Sequence, residues 1–174
     1  IVYRGLPDGG QTSYVIHAGQ YKTRPNSVIT RYGDRFEYAS PEETPSLMSD
    51  LVDWYNEAEQ DAKLSPVELA ALFHYRYIRI HPFEDGNGRI ARLMVNYILS
   101  RHGYPMVVVR SRKKNEYLEA LHQTDLEVGP VPYDGAHAGI REIRPFLKFF
   151  NELVATEVYH DVLFVSERNE NVWW

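Results

Sequence analysis

The chain has 174 residues, 44% hydrophobic and 25% charged, which suits one domain with a single substantial core. Its net charge of −5 argues against the basic surface that broad nucleic-acid binding needs. The absence of cysteine excludes disulfides, thiolate zinc sites and a thiol nucleophile, and no apolar run nears the roughly 18 residues of a membrane span, so a cytoplasmic protein is expected.

The first 40 residues carry turn and strand signals. Pro7-Asp8-Gly9-Gly10 is a turn cluster, and Val28 to Tyr32 and Phe36 to Tyr38 are β-prone, with Gly33-Asp34-Arg35 suited to a hairpin loop between them. From Pro45 the period becomes helical, with Leu47, Met48, Leu51, Val52 and Tyr55 on one face. A second helix opens at Ser65, which can cap, followed by Pro66 at the first helical position and Glu68 to complete a capping box. It runs toward Ile78, and Pro82 ends it.

A third helix starts at Gly86-Asn87-Gly88, with Ile90, Leu93, Met94, Tyr97 and Ile98 as its expected buried stripe and Gly103 as its left-handed stop. The basic run Arg110-Ser-Arg112-Lys113-Lys114 reads as a solvated loop or helix start. Tyr117, Leu118 and Leu121 mark a fourth helix, and Phe146, Leu147, Phe150, Leu153 and Val154 a fifth. Gly129 to Gly139 reads as a loop, and residues 162–174 as strand, polar turn, strand. The chain begins at Ile1 without a methionine and stops at the apolar Val172-Trp173-Trp174, so it is expected to continue at both ends. The expected fold is mainly α, a helical bundle with one small β-hairpin.

The stretch from His81 to Arg92, HPFEDGNGRIAR, concentrates more chemically capable groups than any other. A helix beginning near Asn87 leaves its first N–H groups unpaired, and its dipole adds positive charge there. Gly86 and Gly88 let an anion approach the backbone, while Arg89 and Arg92, three apart, share a face near the same end. Together they suit a polyphosphate, although the lysine and Ser/Thr of a Walker A loop are absent. Asp85 is a hard oxygen ligand where a phosphate-bridging Mg2+ would sit. His81, with no zinc-binding pattern around it, suits a general base. Taken singly, His81 reads as a structural histidine, Asp85 as a helix cap and the arginines as surface ion-pair partners. The case rests on their concurrence. The histidines at 17, 74, 102, 122, 137 and 160 have no such company and no assigned role.

His81-Pro-Phe83-Glu-Asp85-Gly86-Asn87-Gly88-Arg89-Ile-Ala-Arg92 resembles the signature of the Fic family, H-x-F-x-[DE]-G-N-G-R-x-x-R, at every fixed position. The resemblance extends over roughly residues 17 to 155, through "AGQYKTRPNSV" and the flanking helices. It implies a Fic domain over residues 1–160 with a flap hairpin near 28–38, and the start of a C-terminal extension at 161–174. It also implies a protein adenylyltransferase, which moves AMP from ATP to a Tyr, Thr or Ser hydroxyl of a target protein and releases pyrophosphate.

By that resemblance His81 takes the hydroxyl proton and Asp85 holds Mg2+ or Mn2+. Gly86, Asn87 and Gly88 cradle the phosphates, and Arg89 and Arg92 contact the outer ones. Tyr117 and Asp125 match adenosine-pocket positions, Tyr117 reading equally well as a core aromatic. Phe36, Glu37 and Tyr38 lie on the flap, where an extended target segment docks by strand addition. The implied partners are ATP and the target protein, with self-modification and a homodimer compatible. Gly88 disfavours the relatives that transfer phosphate, which have lysine there. Phosphocholine transfer, removal of AMP by a phosphodiesterase reaction, and a purely ATP-sensing adaptor remain as alternatives.

Many relatives carry an inhibitory [ST]-x-x-x-E-[GN] helix whose glutamate pairs with the second motif arginine, here Arg92. Ser166 to Asn171 matches, with Glu170 as its glutamate. Because the surroundings read as strand, the inhibitory helix is expected upstream of Ile1 instead.

Overall fold

A computed structural model of the chain describes residues 2–4, 13–15, 19–29, 33, 35–130 and 132–170. The turn cluster at 7–10 and most of the expected hairpin tip lie outside them. Two antiparallel strand pairs come first: β1 (Val2–Arg4) with β2 (Ser13–Val15), and β3 (Ser27–Ile29) with β4 (Arg35–Glu37). In the second pair Val28 faces Phe36. The helices are α1 (Thr44–Asp61), α2 (Pro66–Ile80), α3 (Asn87–Arg101), α4 (Lys114–Val128), α5 (Pro132–Ala136) and α6 (Arg144–Glu170). The expected mainly helical fold with a small hairpin is what forms.

Helix α2 is the centre of the bundle, packed by α1, α3, α5 and α6. Its capping box forms as read: Glu68 N–H donates to Ser65 Oγ at 3.2 Å, and Ser65 N–H to Glu68 Oε2 at 2.8 Å. Nearly every side chain from Val67 to Ile80 is buried, so the helix carries core on all sides. Its buried polar residues must therefore find partners. Arg76 donates to the Ala138 carbonyl at 2.9 Å and lies over the Trp54 ring. Arg79 donates to Tyr75 Oη, Asp125 Oδ1 and the Gly129 carbonyl.

Four expectations change. Of the expected α3 stripe Ile98 is buried and Ile90 and Met94 are half-buried against the core, but Leu93 and Tyr97 are exposed and Ala91, Val95 and Leu99 are buried in their stead. Val52 on α1 is exposed as well. The loop at 129–139 contains the short helix α5, packed on α2. The expected strand and polar turn from 162 to 170 are instead the last turns of α6, since no glycine or proline after Pro145 stops that helix, and the second expected strand, at 172–174, lies outside the described residues. Residues 161–168 are all exposed. Gly103 ends α3 as expected, at φ 75°, with Tyr104 N–H donating to the Leu99 carbonyl and Gly103 N–H to the Ser100 carbonyl in a Schellman motif. The basic run starts α4 through a 3-10 turn over Ser111–Lys113. Among the described residues no helix is long and apolar enough to cross a membrane.

Candidate active site between α2, α3 and the hairpin

Pro82 stops α2, and His81 caps it in the left-handed conformation, φ 51° and ψ 60°, with its N–H on the Tyr77 carbonyl at 2.9 Å. A non-glycine residue held there is strained and persists only where its surroundings fix it. Asn87, buried at the start of α3, supplies much of that fixing. Phe83 N–H donates to its Oδ1 at 2.9 Å, and its Nδ2 donates to the Phe83 carbonyl at 2.7 Å and to His81 Nδ1 at 3.1 Å. One side chain thus ties the histidine to the helix start.

Gly86 precedes α3 at φ 84°, where a side chain would be strained. The N–H groups of Arg89 and Ile90 both donate to the Gly86 carbonyl, at 2.9 and 3.0 Å, which leaves those of Asn87 and Gly88 at the helix start without an intrahelical acceptor. Asp85 and Arg89, four apart, pair at 2.9 Å on the exposed side. Arg92 turns inward, beside Gly88 and against the Tyr117 hydroxyl, so the two motif arginines sit at different depths. Among the described residues no group of three or more His, Asp or Glu side chains forms a metal cluster.

Residues that sequence reading passed over complete the site. Lys22 is almost fully buried, and its Nζ donates to the Ile80 carbonyl at 3.0 Å and to Asn26 Oδ1 at 2.9 Å. Asn26 Nδ2 then donates to His81 Nδ1 at 2.9 Å and to the carbonyls of His81 and Phe83. Tyr38 lies flat on the His81 ring, centroids 4.0 Å apart and planes 4° apart. Burial and the Lys22 charge hold the imidazole well below its usual value, at about 4, against a smaller opposing pull from Asp85. Burial likewise brings Lys22 down to about 8, with Glu43 and Glu84 opposing. The segment quoted for its resemblance, "AGQYKTRPNSV", contains both Lys22 and Asn26, but no spacing rule links them to His81.

A cavity of about 180 Å³ opens beside this loop, lined by Val28, Phe36, Tyr38, Arg79, Leu118 and Asp125 among others. Its walls are mainly apolar, with Arg79, Glu119, His122 and Asp125 as its charged or titratable lining; Asp125 accepts from Arg79 at 3.1 Å and from the Tyr75 hydroxyl at 2.8 Å. Burial pushes the Asp125 carboxyl up, against the pull of Arg79 and Tyr75. Asp125 therefore faces the cavity, while Tyr117 does not line it. The Tyr117 ring packs on Phe146 and Phe149, and its hydroxyl lies 3.1 Å from His74 Nε2. Its neighbour Leu118 takes the wall position. Of the flap residues, Phe36 and Tyr38 line the cavity, whereas Glu37 pairs with Arg35 on the exposed side. Glu170 closes α6, and its side chain lies outside the described residues.

Residues 4–99 match the Fic/DOC family. The chain is 36% identical over 118 residues to protein adenylyltransferase fic-1 of Caenorhabditis elegans, covering 68% of this chain and 20% of that one. It is 39% identical over 110 residues to protein adenylyltransferase Fic of Nematostella vectensis, covering 63% and 22%. The match thus spans about a fifth of these curated relatives. The fold is similar to the crystal structure of a Fic-domain-containing signalling protein from Bacteroides thetaiotaomicron, with a TM-score of 0.81, 57% identity, and 84% of this chain and 55% of that one covered. With more than half of its length matched and the motif loop built as described, the chain belongs to the Fic/DOC family.

Proposed function

We propose that the chain is the catalytic part of a protein adenylyltransferase that moves AMP from ATP to a hydroxyl side chain of a target protein. The observation that carries this reading is Asn87, which joins the His81 ring and the α3 N-terminus in one rigid unit. The His81 imidazole is thereby held at a fixed position beside an anion-binding helix start. The names of the relatives above support the same activity.

In this reading the polyphosphate lies on the first turn of α3, and the base enters the cavity beside the hairpin. The apolar walls suit a purine, and Asp125 offers acceptor oxygens at the far end. Asp85 presents a hard oxygen at the mouth of the turn. Its exposed pairing with Arg89 is worth under about 1 kcal/mol, so Asp85 could give up that partner for a divalent cation at little cost. A Mg2+ held by Asp85 would offset charge building up between the α- and β-phosphates.

The target oxygen bonds to the α-phosphorus, the bond to the β-phosphate oxygen breaks, and pyrophosphate leaves. The hydroxyl proton passes to His81, which burial keeps neutral at physiological pH and so able to accept it. Among the described residues each hairpin strand pairs on one side, and Val28 and Ile29 are exposed, so an extended target segment can add as a further strand. Incubation of the protein with α-labelled ATP and Mg2+ tests the reading. Labelled protein is expected, and His81→Ala should lower the rate by roughly 100- to 10,000-fold. Equal labelling of the two would overturn the role given to His81.

A further inference from the structure

The contacts on His81 fix more than its place. Two amide groups point their N–H bonds at Nδ1, one from Asn26 at 2.9 Å and one from Asn87 at 3.1 Å. Which way an amide faces is ordinarily an inference from its neighbours, and here the neighbours decide it. Asn87 Oδ1 accepts the Phe83 N–H, which leaves Nδ2 for the ring. Asn26 Oδ1 accepts from the Lys22 ammonium, and Nδ2 faces the carbonyls of His81 and Phe83; reversing that amide would set oxygen against two oxygens and NH2 against NH3+. Nδ1 is thus a forced acceptor. A neutral imidazole has one N–H, so the proton sits on Nε2. An Nε2–H donates. It does not take a proton from a hydroxyl.

We infer that Asn26, aimed by the buried Lys22, is a positioning residue that sets the tautomer of His81 and holds the ring as a donor while the hairpin is empty. The inference rests on the adenylyltransferase reading only for its consequence; the tautomer itself does not need it. For His81 to act as a base through Nε2, one proton must leave Nε2 and one must arrive on Nδ1, with no change in net charge. That requires both N–H groups to leave Nδ1: the Asn87 amide, which keeps its bonds to Phe83, and the Asn26 amide, which is the shorter contact and the one the hairpin can move. Asn26 is placed to respond to a target, because β3 starts at the next residue and the Asn26 carbonyl accepts from Tyr38 N–H at 3.3 Å. Both ends of the hairpin therefore touch the ring, Asn26 at its edge and Tyr38 on its face. A segment adding to the hairpin would act on the contact that sets the proton. The charged groups acting on the ring are Lys22 and Asp85. The lowered imidazole value agrees with a ring that meets donors rather than acceptors.

Nitrogen-15 spectra of the histidine rings at pH 8, without ATP or target, test this directly, with His81→Gln identifying the signal. The wild type should show Nε2 protonated and Nδ1 bare. Asn26→Asp replaces the donor by an acceptor and should put a proton on Nδ1, with the buried His74 signal unchanged as a check on folding. A wild-type ring already protonated on Nδ1 overturns the inference, as does an Asn26→Asp ring that stays bare there. Should Asn26→Asp not fold, Lys22→Met decides: a mixture of tautomers supports the latch, and a proton wholly on Nε2 overturns it. In the AMP-transfer assay Asn26→Asp should label at least as fast as wild type. A fall to the His81→Ala level would show that the amide is needed on Nδ1 during transfer, and the latch would be wrong. If the wild type transfers no AMP at all, the proposed function fails while the spectra still judge the tautomer.

Discussion

His74 should make the protein acid-sensitive in a way one substitution removes. It is 1% exposed on the central helix, stacked on Phe146 at 4.8 Å, with Nε2 beside the Tyr117 hydroxyl and Nδ1 unpartnered among the described residues. Burial, with a smaller push from the Arg92 charge, lowers its value from 6.5 to about 3. Between those values the unfolded chain binds a proton that the folded chain refuses, so stability falls as pH drops from about 6.5 toward 3. Going from pH 7 to pH 5, His74 alone should remove about 2 kcal/mol. His74→Phe keeps an aromatic ring among Tyr117, Phe146 and Phe150. At pH 7 it loses the Tyr117 hydrogen bond but also the unpartnered Nδ1, so its stability there should stay within about 1 kcal/mol of wild type. Urea titrations at pH 7 and pH 5 give the comparison. The wild type should lose about 2 kcal/mol more than the variant over that interval. His81 contributes to both proteins alike and cancels. Equal losses would refute the argument, because they would mean that a charged His74 is accommodated in the fold.

Two further substitutions probe the scaffold and the terminal helix. A methyl group at Gly135 on α5 would overlap the Arg79 side chain, which is buried and held by Asp125, Tyr75 and the Gly129 carbonyl. Gly135→Ala should therefore destabilise the protein by about 1 to 3 kcal/mol, seen as a melting point several degrees lower; an unchanged melting point would show that Arg79 has room to move. Glu170→Gly should leave AMP labelling within about twofold of wild type, since residues 161–168 are exposed. A large gain in self-labelling would show that the end of α6 restrains the site after all, as the match at Ser166 to Asn171 implied.

What the sequence made legible was what it kept local. The loop and first turn from His81 to Arg92 hold acceptor, carboxylate, turn and arginines within twelve residues, and the capping box and the Gly103 stop are also short-range rules. Even inside helices, the reading failed where several faces were apolar. In α3 the large Leu93 and Tyr97 drew the expected stripe outward, whereas Ala91 and Val95 are the positions that end up buried. In α4 Tyr117 and Thr124 face the core at i and i+7, which turns Leu118 and Asp125 toward the cavity; a one-residue step is about 100° and moves a side chain from one environment to the other. At 162–165 β-prone residues read as strand, but with no partner strand beside them among the described residues and no breaker in the sequence the helix continues to Glu170.

The His81 contacts belong to a different order of difficulty. Asn26 and Lys22 lie more than fifty residues before it, and neither carries a motif of its own. They reach it because Lys22 N–H donates to the Pro82 carbonyl at 2.8 Å and Glu84 accepts from Thr23, which stitches the irregular segment before the hairpin onto the motif loop. In the adenylyltransferase reading the motif is the half of the site that binds and transfers, readable in one line of sequence. The contact that joins Asn87 on the His81 ring edge arrives from the hairpin, through packing. A motif can therefore be complete at every fixed position while, in that reading, the proton on the ring at its head is set partly from outside it.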